Sequence, residues 1–179
     1  SQSSNVDAMI DVWDPFDILV NNAGAIPPGT LEEVDEETWR HGWELKVFGY
    51  INSCRQAYAR MKHRGSGVII NVIGTGGERP VAPYSAGAGG NAALMGLTRA
   101  VGGASLEDGI RVVGVNPGPI MTDRLVGSLQ FRAEKRFGDG SRWRECLDEY
   151  PTLGRPPGEP EHIADMVAFL ASDLSAFTT

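Results

Sequence analysis

The run Asp17-Ile18-Leu19-Val20-Asn21-Asn22-Ala23-Gly24 constrains this chain more than any other part of it. A short apolar stretch that ends in two amides and a glycine suits a buried parallel strand opening into a ligand-facing loop. Two more stretches of this kind follow. Val68-Ile69-Ile70-Asn71-Val72-Ile73 leads into glycines at 74, 76 and 77. Arg111-Val112-Val113-Gly114-Val115-Asn116 is broken into a turn by Pro117-Gly118-Pro119.

Helical patterns separate the strands. Residues 5–14 read as the tail of a helix that delivers the chain to the strand at 17–21. Asp35, Glu36 and Glu37 open a long helix, as the positive end of its dipole favours. Its apolar stripe runs Trp39, Trp43, Val47, Tyr50, Cys54, Tyr58, Met61, and Gly65-Ser66-Gly67 ends it. A helix from about Asn91 to Glu107 comes next, then a charged helical excursion over roughly 122–149. A last helix runs from Pro160-Glu161 to near Ala171. Strands alternating with helices specify an α/β fold with a parallel sheet and right-handed crossovers.

At 179 residues the chain is expected to form one domain, 1–179. A net charge of −7 argues against nonspecific binding to nucleic acid or membrane. Cys54 and Cys146 are far apart and match no metal spacing, which points to a reducing, cytoplasmic setting. His41, His63 and His162 form no ligand cluster and read as solvent-facing or capping residues, so no metal is expected. No apolar run approaches the roughly 18 residues of a spanning helix, and no signal peptide opens the chain.

The strand ending in Asn-Asn-Ala-Gly resembles the fourth strand of the short-chain dehydrogenase/reductase family. Asn116-Pro117-Gly118-Pro119-Ile120-Met121-Thr122 is similar to that family's Asn-Pro-Gly-x-x-x-Thr segment. The resemblance implies a Rossmann-type doubly wound parallel sheet, incomplete here. Family members begin with three more strands and a glycine-rich phosphate loop and end with one further strand, so the chain is expected to be the central and later part of a longer domain. It also implies NAD or NADP as cofactor, and a small-molecule substrate interconverted between alcohol and carbonyl. Pairing of the 36–63 helix and the next one across a subunit interface would give a homo-oligomer. Asn22, Ala23 and Gly24 would meet the adenosine side of the cofactor, while Pro117, Gly118, Ile120 and Thr122 would hold its carboxamide. The clusters Gly74-Thr75-Gly76-Gly77 and Gly87-Ala88-Gly89-Gly90 lack the spacing and context of a phosphate loop.

The family's catalytic set is a Ser, a Tyr, a Lys four residues later, and an Asn on the preceding long helix. This chain departs from it at every position. The Asn position holds Lys46, the Ser position Gly74, the Tyr position Gly87 and the Lys position Asn91. Either the site has been dismantled, leaving a non-catalytic dinucleotide-binding or structural subunit, or it has been rearranged. In the rearranged set Lys and Asn have exchanged helices, and Thr75 stands beside the vacant Ser position. Tyr84, three residues before Gly87, then supplies the acid/base phenol, while Lys46 holds the ribose and lowers the phenol's pKa. The 122–149 excursion carries Arg124, Arg132, Lys135, Arg136, Arg142 and Arg144 against Asp123, Glu134, Asp139, Glu145, Asp148 and Glu149. It reads either as a lid over an anionic substrate or as a solvated charged helix.

Overall fold

Three short parallel strands, β1 (Ile18–Asn21), β2 (Gly67–Val72) and β3 (Ile110–Val115), form the sheet in the order β1-β2-β3. Ile18 pairs with Val68 and Gly67 with Ile110. Each strand lies within a residue of the position its sequence predicts. The computed structural model describes residue 8 and residues 10–149 and 155–179, without the side chains of 148 and 149. Of the helix expected at 5–14, residues 8 and 10–13 are helical, and residues 5–7 and 9 lie outside the described ones. Contacts divide the chain into two units, Ser1–Asn116 with Val167–Thr179, and Pro117–Met166.

In the first unit β2 is flanked on both sides and buries Ile69, Ile70 and Asn71 completely. A run that is apolar on both faces suits this central place. Helix α1 (Glu36–Trp43) starts at Asp35, whose carboxylate accepts the Thr38 amide at 2.7 Å. A π-helical turn, Glu44–Phe48, joins it to α2 (Gly49–Arg64), so the expected long helix is one run with a widened turn inside it. Gly65 closes α2 in the left-handed conformation, at φ 73°. The stripe predicted from spacing is the packing face. Cys54 and Met61 meet Ile69 and Ile110, while Val47 and Tyr50 meet Ile73, Leu94 and Met95.

Helix α3 (Ser85–Ser105) begins six residues before the expected start at Asn91. Glycines at 87, 89 and 90 lower helix propensity by roughly 1 kcal/mol each relative to alanine. Tertiary packing overrides that preference. A β-carbon on Gly90 would lie 3.0 Å from Val47 and 3.1 Å from Ile26, and the Trp43 indole donates to the Ala86 carbonyl at 2.9 Å. Glycine here lets α1 and α3 approach closely. On the sheet's other face Val167, Leu170 and Ala171 of α5 (Pro160–Ala171) pack on Ile70 and Val113.

The second unit holds α4 (Asp123–Phe137) and a 3-10 run, Gly140–Glu149, broken at Arg142. Leu129, Ala133 and Cys146 form its buried centre, with Phe137 and Trp143 beside them. The charged excursion is therefore two elements.

Candidate active site

β1 delivers Asn21 to a buried polar network at the sheet's carboxyl end. Asn21 Nδ2 donates to Asn71 Oδ1 at 2.9 Å, Ser53 Oγ donates to Asn21 Oδ1 at 2.7 Å, and Asn71 Nδ2 donates to Thr98 Oγ1 at 2.9 Å. The network ties β1, α2, β2 and α3 together below the loops that follow the strands. In the sequence Asn21 ends one apolar run and Asn71 interrupts another, without any sign that they meet. Cys54 joins them, and burial pushes its thiol up to about 11, which removes it as a nucleophile at neutral pH.

Lys46 lies in the π-turn, a distortion that recurs at functional sites. Its Nζ donates to the Ile73 carbonyl at 2.7 Å. Its stem runs over Gly24, where a β-carbon would come within 2.8 Å of Lys46 Cδ. Asn91 Nδ2 donates to the next carbonyl along, that of Gly74, at 3.4 Å. The amide and the ammonium thus attach to consecutive carbonyls of the loop after β2. Asn91 is 3% exposed, yet its Oδ1 has no hydrogen-bond partner among the described residues.

That loop is shaped by glycine. Gly74 sits at φ 120°, a conformation side chains rarely adopt. Thr75–Gly77 then makes a 3-10 turn in which the Thr75 carbonyl accepts the Glu78 and Arg79 amides. Thr75 is half-buried. A β-carbon on Gly77 would press on the Ala92 amide at 2.7 Å, so this turn lies against α3. Tyr84, the residue before α3, lays its ring beside Gly76 and across Gly87.

Other described phenols are committed elsewhere. Tyr50 is 2% exposed and donates to the Val72 carbonyl at 2.9 Å, and burial raises its pKa strongly. Tyr58 donates to Asp108 at 2.6 Å, and this bond pushes it up to about 12. Tyr84 has no such bond among the described residues.

Asn22 and Ala23 are exposed in the loop after β1, and Gly24 is half-buried there. Asn116, at the end of β3, keeps a buried Oδ1 with no partner among the described residues. In the second unit Pro119, Ile120 and Met121 run beside Gly158, with the Met121 amide on the Gly158 carbonyl at 2.7 Å. Pro117 is half-buried and Gly118 exposed. Thr122 caps α4, its hydroxyl accepting the Leu125 amide at 3.4 Å. Arg142 pairs with Glu145 through two bonds of 2.8 Å and stacks on Phe137, and Arg144 stacks on Trp143. These contacts fit the solvated-helix reading of the excursion. Asp148 and Glu149 side chains lie outside the described ones. His41 and His63 are exposed, and His162 Nδ1 accepts the Glu159 amide as a cap. Among the described residues no group of three His, Cys, Asp or Glu could hold a metal, and no helix is long and apolar enough to cross a membrane. A cleft of about 450 Å³ runs beside β3, but none of Lys46, Thr75, Tyr84 and Asn91 lines it.

Parallel strand ends opening into glycine-rich loops define a ligand-binding α/β domain of the Rossmann-like class. Comparison with known proteins narrows the class. Residues 2–179 match the family model described as Enoyl-(Acyl carrier protein) reductase, and the chain belongs to the short-chain dehydrogenase/reductase family. It is 32% identical over 181 residues to the 2-keto-3-deoxy-L-fuconate dehydrogenase of Xanthomonas campestris pv. campestris, a match covering 100% of this chain and 58% of that protein. L-Sorbose reductase from Gluconobacter frateurii, solved in complex with NADPH and L-sorbose, matches at TM-score 0.85 and 29% identity over 99% of this chain and 69% of its own. NAD+-bound xylitol dehydrogenase, at TM-score 0.84 and 21% identity, shares the fold over 99% of this chain and 70% of its own. The chain thus spans little more than half the length of the first of these relatives.

Proposed function

We propose that the protein is an NAD(P)-dependent oxidoreductase that interconverts an alcohol and a carbonyl with a rearranged catalytic set. The observation that carries this reading is the attachment of Lys46 and Asn91 to consecutive carbonyls, Ile73 and Gly74, with the Tyr84 ring against the same loop. Cation, amide and phenol are the groups this chemistry needs, and here each comes from an unusual position.

The residues present fit a polar dinucleotide. Asn91 and Asn116 each keep a buried amide oxygen with no partner among the described residues. Such an orphan costs about 1–3 kcal/mol unless a ligand or water satisfies it. Asn22, Ala23 and Gly24 would take the adenosine side, Lys46 the ribose, and Pro117, Gly118, Ile120 and Thr122 the carboxamide. NAD(P)H supplies the hydride when bound. Tyr84 gives its hydroxyl proton to the substrate oxygen as the carbonyl is reduced, and takes it back in the reverse direction. Lys46 stabilises the phenolate so formed. Asn91 holds the water that returns the proton, and Thr75 steadies the substrate oxygen from the turn after β2.

Two buried free thiols, Cys54 and Cys146, suit a cytoplasmic setting. Leu45 and Phe48, apolar and exposed on the π-turn, suit a homo-oligomer. One observation favours a second reading, a non-catalytic dinucleotide-binding subunit: positions 74 and 87 carry no side chain. Turnover of the protein, at the length its gene encodes, against a panel of ketones and alcohols with NAD(H) and NADP(H) separates the two. Turnover that Tyr84→Phe abolishes is expected; binding without turnover would leave the second reading.

A further inference from the structure

Gly87 lies inside α3, and its φ is not among the positive ones, so nothing in its backbone calls for glycine. Helix propensity alone would favour alanine there. What stands in the way is Tyr84. A β-carbon on Gly87 would lie 1.9 Å from Tyr84 Cζ, and 2.1 and 2.4 Å from Cε1 and Cε2. The hydroxyl-bearing end of the ring therefore occupies the space where a side chain at 87 would begin.

The backbone of Tyr84 is fixed on both sides. Its carbonyl accepts the Ala88 amide at 2.8 Å, its amide donates to Val81 at 3.0 Å, and the flanking residues bond Gly29 through Gly29 N to Pro83 O at 2.7 Å and Ser85 N to Gly29 O at 3.3 Å. The ring's near edge faces Gly76, whose β-carbon would sit 3.4 Å from Tyr84 Cδ1 and Cε1. A methyl group at 87 cannot push the backbone aside, so it must evict the ring.

We infer that Gly87 is a positioning residue, the seat of the Tyr84 ring, and that the two act as one unit in which the phenol enters from the residue before α3. This rests on the reading of Tyr84 as the acid/base group. It adds that residue 87 acts only through Tyr84 and that the seat and the ring are coupled.

The test is a double-mutant cycle on the protein at the length its gene encodes, with Gly87→Ala, Tyr84→Ala and their combination. Gly87→Ala is expected to lower kcat about a hundredfold, with KM and cofactor Kd within about twofold, the usual worth of a displaced acid/base group. The ¹³C ring resonances of Tyr84, assigned by their loss in Tyr84→Phe, are expected to move in Gly87→Ala, while those of Tyr50 and Tyr58 stay in place. In the Tyr84→Ala background the same glycine change should leave Tm unchanged or higher. Tyr84→Ala with Gly87→Tyr should regain at least about tenfold in kcat over Tyr84→Ala alone. Wild-type kcat in Gly87→Ala would overturn the inference and leave the proposed activity standing. If the natural protein shows no turnover, the activity falls and the seat is judged by the resonances and Tm alone. Unmoved Tyr84 resonances, or equal Tm effects of Gly87→Ala with and without the ring, would overturn it there.

Discussion

Lys46 and Tyr84 reach the same loop by opposite means. Lys46 is held by polarity: a widened helical turn aims it, and a 2.7 Å hydrogen bond to Ile73 anchors its ammonium. Tyr84 is held by shape, its ring laid over one glycine and against another. Moving a cation to a different helix needs only a carbonyl within reach of a flexible stem. Moving a rigid ring needs a β-carbon to be absent. The glycine at the vacant phenol position is thus what leaves room for the Tyr84 ring.

The largest effects should come from removing the two groups. Lys46→Met and Tyr84→Phe are each expected to lower kcat by at least about a hundredfold. Calorimetric titration should show weaker cofactor binding only in the first. Equal losses of binding in both would erase the distinction between the polar half and the shaped half.

The footing of both halves can be loosened next. Asn71→Ala removes the partner of Asn21 and Thr98 in a fully buried place. Leaving such groups unpaired is expected to cost about 2–3 kcal/mol of stability, read as a lower midpoint in urea. A midpoint unchanged from the parent would mean the network carries no weight.

A smaller effect should follow Gly24→Ala. Its β-carbon meets the Lys46 stem at Cδ, a flexible neighbour that can shift. The expected loss in kcat is about tenfold, of order 1 kcal/mol, and Lys46→Met should make it vanish. Persistence of the loss in that background would show that Gly24 acts by another route.

Away from the site, Tyr58, Asp108 and Lys62 form a pH-sensitive cluster. The Tyr58 hydrogen bond, then that of Lys62, holds the Asp108 carboxyl below its usual range. This stabilisation is present above the unfolded carboxyl value of about 3.9 and is lost as pH falls through the lower folded value. Tyr58 is pushed up to about 12, chiefly by its bond to Asp108. Its share is present below about 10 and is lost as pH rises through about 12. The Tm difference between the parent protein and Tyr58→Phe should therefore be flat from about pH 5 to 9 and shrink outside that window. A difference independent of pH would contradict the assignment.

Much of the fold was legible because period and composition carry it. Apolar runs gave the three strands, and the Trp39-to-Met61 spacing gave the packing face of α1 and α2. The start of α3 was not legible, since glycines at 87, 89 and 90 argue locally for a loop and only tertiary neighbours explain them, the Tyr84 ring at Gly87, Trp43 at Gly89, and Val47, Ile26 and Trp43 at Gly90. The π-turn left no mark in the sequence. Lys46 stood out because a lysine fell on an apolar helix side, whereas the relation of Tyr84 to Gly87 is a contact between a ring and an absent atom. No reading of spacing reaches it: the count places Tyr84 nearly a helical turn from the expected phenol.

In the proposed site cation and amide have exchanged helices. Turnover of Lys46→Asn beside that of the exchange Lys46→Asn with Asn91→Lys tests it most directly. A loss of at least about a hundredfold is expected in the single variant, with a recovery of at least about tenfold when the lysine is returned on α3. Full wild-type turnover in Lys46→Asn alone would contradict it.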